Sequence, residues 1–305
     1  MKRWIAVIFI LIVFLSAFTY LLIPGELKGS AVAYIRANPK AVSRQVGSKA
    51  DWRKWWPEAD AFIYKGKEYN ITRPMYNALE VSVGRGEKKI TTVLSVIPVS
   101  IDSTALEWKF ELKTGSFPTQ RIQQYRKAAQ LKQELNSILS AVQKYYEDEK
   151  NLYGFTVKQT KVTDSVLIYT SKIFDHYPDA ADVNLVVEKL RTYIVQNGAR
   201  EQNHPMLNVM DLGNGYEAKV AIAVDRMLPE TKAFSPKMVL KGGAILETEI
   251  RGGPHTIRQA FEKFEQYKTD HERVNPAMPY QLMVTDRVKE ADTSKWITRL
   301  YYPVF

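Results

Sequence analysis

Four histidines, at positions 176, 204, 255 and 271, and a complete lack of cysteine set the first limits on the chemistry open to this chain. The histidine spacing matches no metal-ligand pattern, and without thiols there is no thiolate zinc site, thiol nucleophile, disulfide or cysteine-linked lipid. No phosphate-binding glycine loop, zinc-protease helix, serine-hydrolase elbow or EF-hand spacing occurs. Ser, His and Asp are all present, but catalysis requires that they converge, and nothing in their order shows that they do. What stands out instead is a set of polar aromatics. Trp52, Trp55 and Trp56 fall within five residues, and His176, Tyr177, His255, Tyr280, Trp296 and Tyr301 are spread over the C-terminal half. Each of these side chains presents a π-face and a hydrogen-bonding tip, and each is either part of a core or a contact for a ligand. The expectation is a binding or sensing protein without cofactor or metal. A hydrolase or cyclase acting on a hydrophobic substrate in a cavity is the first alternative, and an interaction scaffold with filled pockets is the second.

The elements that must position these residues begin with an anchor. Residues 4–23, WIAVIFILIVFLSAFTYLLI, contain no charge and have the length of about twenty residues that a membrane-spanning helix needs. Lys2 and Arg3 precede the stretch, Pro24-Gly25 ends it, and Trp4 and Tyr20 are placed for the interfaces. A cleaved secretory signal is the competing reading, but its apolar region is shorter, and the small-residue triplet Ala31-Val32-Ala33 comes late. Lys28, Arg36, Lys40 and Arg44 compete with Lys2 and Arg3 for the cytoplasmic side. Because long domains cross largely regardless of charge, the expected topology is single-pass, with the N-terminus in the cytoplasm. The remaining domains then lie outside, on the periplasmic face in a bacterium.

The 305 residues leave room beyond the anchor for two domains, expected at 28–150 and 151–305. The net charge of +10 is uneven, since residues 28–150 hold 21 basic and 13 acidic side chains, an excess of +8. A basic domain beside a bilayer attracts anionic headgroups. Nucleic acid is not an expected partner, because no helix-turn-helix, zinc or RNA-binding signature accompanies the charge.

In the first domain a short strand, SAVAYIRA, leads to Asn38-Pro39, a helix start with Asn as cap and Pro in the first helical position. That helix should run to about Lys49. The tryptophan trio in DWRKWWP is either a lid over a cavity or the plug of a core. Leu106, Trp108, Phe110 and Leu112 alternate with charged residues, and Leu79, Val81 and Val83 repeat the pattern before the turn Gly84-Arg85-Gly86, as in an antiparallel sheet. Beyond Pro118, Ile122, Tyr125, Ala129, Leu135, Ile138, Leu139, Val142 and Tyr146 form a helical apolar stripe. This order, with Trp52, Trp55, Trp56 and Pro57 matching a Trp-x-x-Trp-x-Pro-like run, resembles the helix-grip fold of the START, polyketide-cyclase and SRPBCC superfamily. The resemblance implies an apolar cavity between a curved sheet and the long helix.

The second domain contains an internal repeat of strand, helix, strand, strand. SVLIYTSKIF, a helix through Val186, Leu190 and Ile194, PMLNVMD and YEAKVAIAV form one copy. GAILETEIRG, a helix through Ile257, Phe261, Phe264 and Tyr267, PYQLMVTDR and KWITRLYYPV form the other, with Pro205 matching Pro279. Two like halves about a pseudo-twofold axis leave a groove between them as a natural ligand site. IRGGPHTIRQAFEKFEQY, PYQLMVTD and WITRLYYPV, the last through Thr298, Pro303 and Val304, resemble the GyrI-like effector-binding domain, giving an α+β fold overall. That resemblance implies small, often hydrophobic or cationic ligands held between the halves, with a buried glutamate in the third element of the second half. Here the position is Gln281. An amide neither repays the desolvation of a cation nor acts as a base near neutral pH, so a neutral or weakly polar ligand is expected. Gln281→Glu is then expected to create affinity for lipophilic cations. Tyr280 should point to the face opposite Gln281. His255 either helps cap its helix or meets the ligand, and Trp296 is either a core residue or a ligand contact.

Overall fold

The computed structural model describes residues 2–60, 62–86 and 89–305, without the side chains at 2, 3, 5, 6 and 12. The expected basic flank of Lys2 and Arg3 therefore lies outside the described side chains. The fold is mixed α+β with two antiparallel sheets, and the chain divides into two units, Met1–Leu152 and Tyr153–Phe305.

Unit one begins with α1 (Lys2–Leu22), a helix over the stretch read as a membrane span. Among the described residues no helix is long and apolar enough to cross a membrane. The described apolar side chains of α1, among them Trp4, Phe9, Phe14, Phe18 and Leu21, stand exposed.

β1 (Glu26–Ile35) follows directly. The Asn38 side chain then accepts from the backbone N–H groups of Lys40 and Ala41 and starts α2 (Pro39–Gly47), the cap read from sequence. The helix expected to reach Lys49 stops at Gly47, and α3 (Lys49–Trp55) takes up the tryptophan run. β2 (Ile63–Tyr64), β3 (Lys67–Met75), β4 (Ala78–Val83), β5 (Ile90–Ser100) and β6 (Ser103–Lys113) complete a six-stranded antiparallel sheet in the order β1-β6-β5-β4-β3-β2. α4 (Pro118–Tyr146) lies across it, and the short α5 (Glu149–Tyr153) follows, an arrangement that fits the helix-grip fold.

Burial on α4 starts at Leu131 and continues through Leu135, Ile138, Leu139, Val142 and Tyr146. Ile122 and Tyr125, read as part of the same stripe, are exposed. The first turns of α4 are held at the end of α1 instead: the Arg121 Nη1 donates to the Ile23 carbonyl at 2.6 Å, and its guanidinium lies 4.2 Å from the centre of the Tyr20 ring.

Unit two is one eight-stranded sheet. β7 (Lys158–Lys161) precedes the first half, β8 (Val166–Phe174), α6 (Ala180–Gln196), β9 (Met206–Asp211) and β10 (Tyr216–Ala223). β11 (Ser235–Met238) precedes the second, β12 (Ala244–Arg251), α7 (Pro254–Asp270), β13 (Tyr280–Met283) and β14 (Ile297–Pro303). The order β11-β8-β10-β9-β13-β14-β12-β7 joins the halves through β9 and β13, where Gln281 faces Leu207 and Leu282 faces Met206. β7 and β11 were not read from sequence. Each precedes one half and pairs with the outer strand of the other, so the two halves are interlocked.

A candidate ligand cleft in the second unit

The α6 helix starts where the local sequence compels it. Asp179 accepts from the Asp182 N–H at 2.9 Å, and the Asp182 carboxylate returns to the Asp179 N–H, a reciprocal cap. His176 adds to it, with Nε2 2.9 Å from Asp182 and Nδ1 2.6 Å from Asp175, and hydrogen bonds to these two carboxylates hold its pKa above the ordinary value. The apolar face of α6, with Val183, Val186, Val187, Leu190 and Ile194 buried, packs on β8 and β10.

Between α6 and the segment following β13 lies a cleft of about 240 Å³. One wall is Val183, Asn184, Val187 and Arg191 from the first half, continued by His204 and Pro205; the opposite wall is Met283 through Val288 from the second. Seven of the thirteen lining residues are apolar, Asn184 and Thr285 are polar, and Arg191, His204, Asp286 and Arg287 are ionisable. Two of those charges are committed elsewhere. Arg191 pairs with Glu188 at 2.9 Å and Glu201 at 3.1 Å. Asp286 accepts from the backbone N–H groups of Val288 and Lys289 and lies 3.3 Å from Lys289 Nζ.

Gln281, 5% exposed, stands beside the cleft and not free within it. Its side-chain carbonyl accepts from Arg287 Nη2 at 2.9 Å, and the same nitrogen donates to Thr298 Oγ1 at 3.2 Å. The guanidinium lies 5.0 Å from the centre of the Trp296 ring, which is itself buried and donates through Nε1 to the Glu290 carbonyl at 2.8 Å. Burial pulls the Arg287 pKa down to about 10, a value at which it is still charged at neutral pH. This changes the expectation for Gln281→Glu. The new carboxylate would meet Arg287 at ion-pair distance and be neutralised there, leaving little charge to attract a cation.

The other residues singled out from sequence are dispersed. Tyr280 and Tyr301 stack at 5.1 Å between ring centres, in the apolar group containing Leu282, while Met283 belongs to the α6 side. Strand alternation thus separates this pair from Gln281. Burial and the nearby Glu247 charge push Tyr301 up to about 12, and burial also raises Tyr280. Tyr177 sits edge-on to Tyr216 at 5.4 Å, with the Arg258 guanidinium 4.5 Å from its ring centre. His255 is exposed in the first turn of α7, whose cap is Gly253.

In unit one, Trp52, Trp55 and Trp56 are buried and packed on one another, on Phe62, Tyr69 and Trp108, and within the core cluster that includes Leu135 and Leu139. Trp52 Nε1 donates to the Val46 carbonyl at 2.7 Å and Trp56 Nε1 to that of Ile63 at 2.6 Å. The space where the helix-grip resemblance implies a cavity is lined here by packed indoles. A residue missed from sequence lies beside them. Glu134 on α4 is fully buried, bonded to Lys67 Nζ at 2.7 Å and Gln130 Nε2 at 2.8 Å. Its position between Leu131 and Ile138 on the apolar stripe was the available signal.

No family model and no curated protein matches the sequence. Among solved structures, the C-terminal domain of EcmrR aligns at 11% identity and a TM-score of 0.43, covering 50% of this chain and 98% of that one. A hydrolase from Listeria innocua aligns at 11% identity and a TM-score of 0.37, covering 49% of this chain and 92% of that one. A START superfamily protein from Mycobacterium smegmatis aligns at 16% identity and a TM-score of 0.28, covering 40% and 95%. Likenesses this distant bear on neither the ligand nor the activity of this chain.

Proposed function

We propose that the protein is a membrane-tethered, non-catalytic binder or sensor of a small hydrophobic molecule, with α1 in the bilayer and the cleft of unit two as the ligand site. The cleft carries the reading: about 240 Å³ walled by seven apolar and six polar side chains, Arg287 among them, offers a small molecule both apolar contact and polar partners. His204 and Asp286 both line it, but no hydrogen bond joins them, and Asp286 is occupied by its own turn. That arrangement favours binding over acid-base turnover. The tether rests on the exposed apolar side chains of α1, a surface that water penalises and lipid accepts. The exposed Phe117, Ile122 and Tyr125, next to the clasp between α1 and α4, and the +8 excess of residues 28–150 suit contact with anionic headgroups. In this reading the N-terminus is cytoplasmic and both units lie on the outer side.

Two measurements test it. The full chain should sediment with membranes and resist an alkaline carbonate wash, while a chain lacking residues 2–25 should not; recovery of the full chain in the soluble fraction rejects the tether. Native mass spectrometry of protein extracted from its own membrane should show a retained small molecule that Asn184→Trp, which places an indole into the cleft from α6, expels. Retention unchanged by that substitution rejects the site.

A further inference from the structure

Building on the reading of the cleft as a small-molecule site, the charge of Arg287 specifies the ligand further. A guanidinium offers five N–H donors. Nη2 uses both of its own, on Gln281 and Thr298, and the plane rests against Trp296. Nε–H and the two N–H groups of Nη1 have no partner among the described residues. Arg287 itself lines the cleft.

Among the described residues, no ion pair includes Arg287. The other arginine of the cleft, Arg191, has two glutamates. The carboxylate next in sequence, Asp286, is turned to the backbone of Val288 and Lys289 and to Lys289 Nζ. Half-buried cations are ordinarily paired, because taking an ion out of water is costly unless an opposite charge offsets it. Here the groups that touch it are an amide, a hydroxyl and an indole face, and the one acidic group acting on it is the weakly acidic phenol of Tyr177. They hold the guanidinium in one orientation without neutralising it, and burial depresses its pKa accordingly.

We propose that the ligand is an amphiphilic anion, its oxyanion bonded to the free edge of Arg287 and its apolar body lying along Val183, Val187, Pro205, Met283 and Val284. Gln281 acts as a positioning residue, because its carbonyl turns Arg287 while adding no charge. The polarity is the reverse of a cation site built on a buried carboxylate.

The test uses three probes of nearly one shape, 2-naphthoate, 2-naphthamide and 2-naphthylmethylammonium. They are titrated by calorimetry into the full chain in nanodiscs of zwitterionic lipid, so that the bilayer does not select by charge. Naphthoate should bind about tenfold or more tighter than naphthamide, as a charge-assisted bond to arginine requires, and the ammonium should bind weakest. Gln281→Glu, nearly isosteric and placed to neutralise Arg287, should erase the preference for naphthoate over naphthamide. Arg287→Gln should do the same, and Arg287→Lys should keep part of it. If naphthamide binds as well as naphthoate, or if Gln281→Glu leaves their ratio unchanged, the anion assignment is overturned while the cleft remains a binding site for neutral molecules. If none of the three binds, or if Asn184→Trp leaves their binding unaltered, both the cleft and the anion assignment fall.

Discussion

Replacing Lys67 by methionine would leave Glu134 as a buried carboxylate without its cation. Glu134 is 0% exposed, and its oxygens are met by Lys67 Nζ at 2.7 Å, Gln130 Nε2 at 2.8 Å and the Tyr69 hydroxyl at 3.5 Å. Burial and this carboxylate raise the Tyr69 pKa far above its ordinary value, so the phenol remains a donor. Removing one partner of a fully buried pair costs about 3–5 kcal/mol. The Lys67 side chain is 32% exposed, so water already screens part of the attraction, and the expected loss is about 2 kcal/mol. The double substitution Lys67→Met with Glu134→Leu should recover most of that loss, because no ion is then left to desolvate. Urea unfolding of the solubilised full chain followed by tryptophan emission reads this unit selectively: of the six tryptophans, only Trp296 lies in the second unit. A midpoint shift at constant slope is the expected signature. A Lys67→Met loss below about 0.5 kcal/mol, or a double variant no more stable than the single one, would refute the assignment of this pair as a paired buried charge.

Asn38→Ala should cost about 1 kcal/mol in the same assay, since the side chain caps α2 through Lys40 and Ala41 and also donates to the Ile101 carbonyl at 2.8 Å; an unchanged midpoint would show that α2 does not need its cap. His176, bonded to Asp175 and Asp182, should titrate by NMR above the ordinary histidine value of about 6.5. Its folded-state pKa is raised, so its contribution to the α6 start is fully present below about pH 6.5 and lost as pH rises through the folded value. A titration midpoint at or below 6.5 would contradict that arrangement.

Local patterns carried most of the fold. The alternation of Leu106, Trp108 and Phe110, the Asn38-Pro39 start and the two copies of strand, helix, strand, strand each correspond to an element observed. The exposure of Ile122 and Tyr125 was not legible, because helical spacing shows which face is apolar but not how far along the helix a sheet extends. β7 and β11 escaped notice for a different reason. Each has only four residues, β7 is exposed throughout and β11 over half its length, so neither carries an apolar pattern, and each is fixed only by pairing with the other half of the repeat. Glu134 and Arg287 were missed because a charged residue reads as solvated until its surroundings are known.

Duplication alone would leave two equivalent grooves, yet the copies differ where it matters. In the first half β9 ends at Asp211 and β10 begins at Tyr216, joined by a tight turn in which Gly213 takes a φ of 83° and Leu212 N–H bonds to the Gly215 carbonyl. In the second half β13 ends at Met283 and β14 begins at Ile297, and the longer connection carries Thr285, Asp286, Arg287, Val288 and the 3-10 turn Thr293–Lys295. That connection forms one wall of the cleft, while α6 of the other half forms the second. The pseudo-twofold frame thus sets two helices against one sheet, and the inserted segment converts one of the two related positions into a charged, one-sided site. Gln281 lies on the geometry shared by the two halves, at the strand that joins them, whereas Arg287 lies on the connection that differs between them. On the proposed anion-binding reading, selectivity for ligand charge resides in the contact between frame and connecting segment, and changing either side of the Gln281–Arg287 hydrogen bond should alter it without disturbing the sheet.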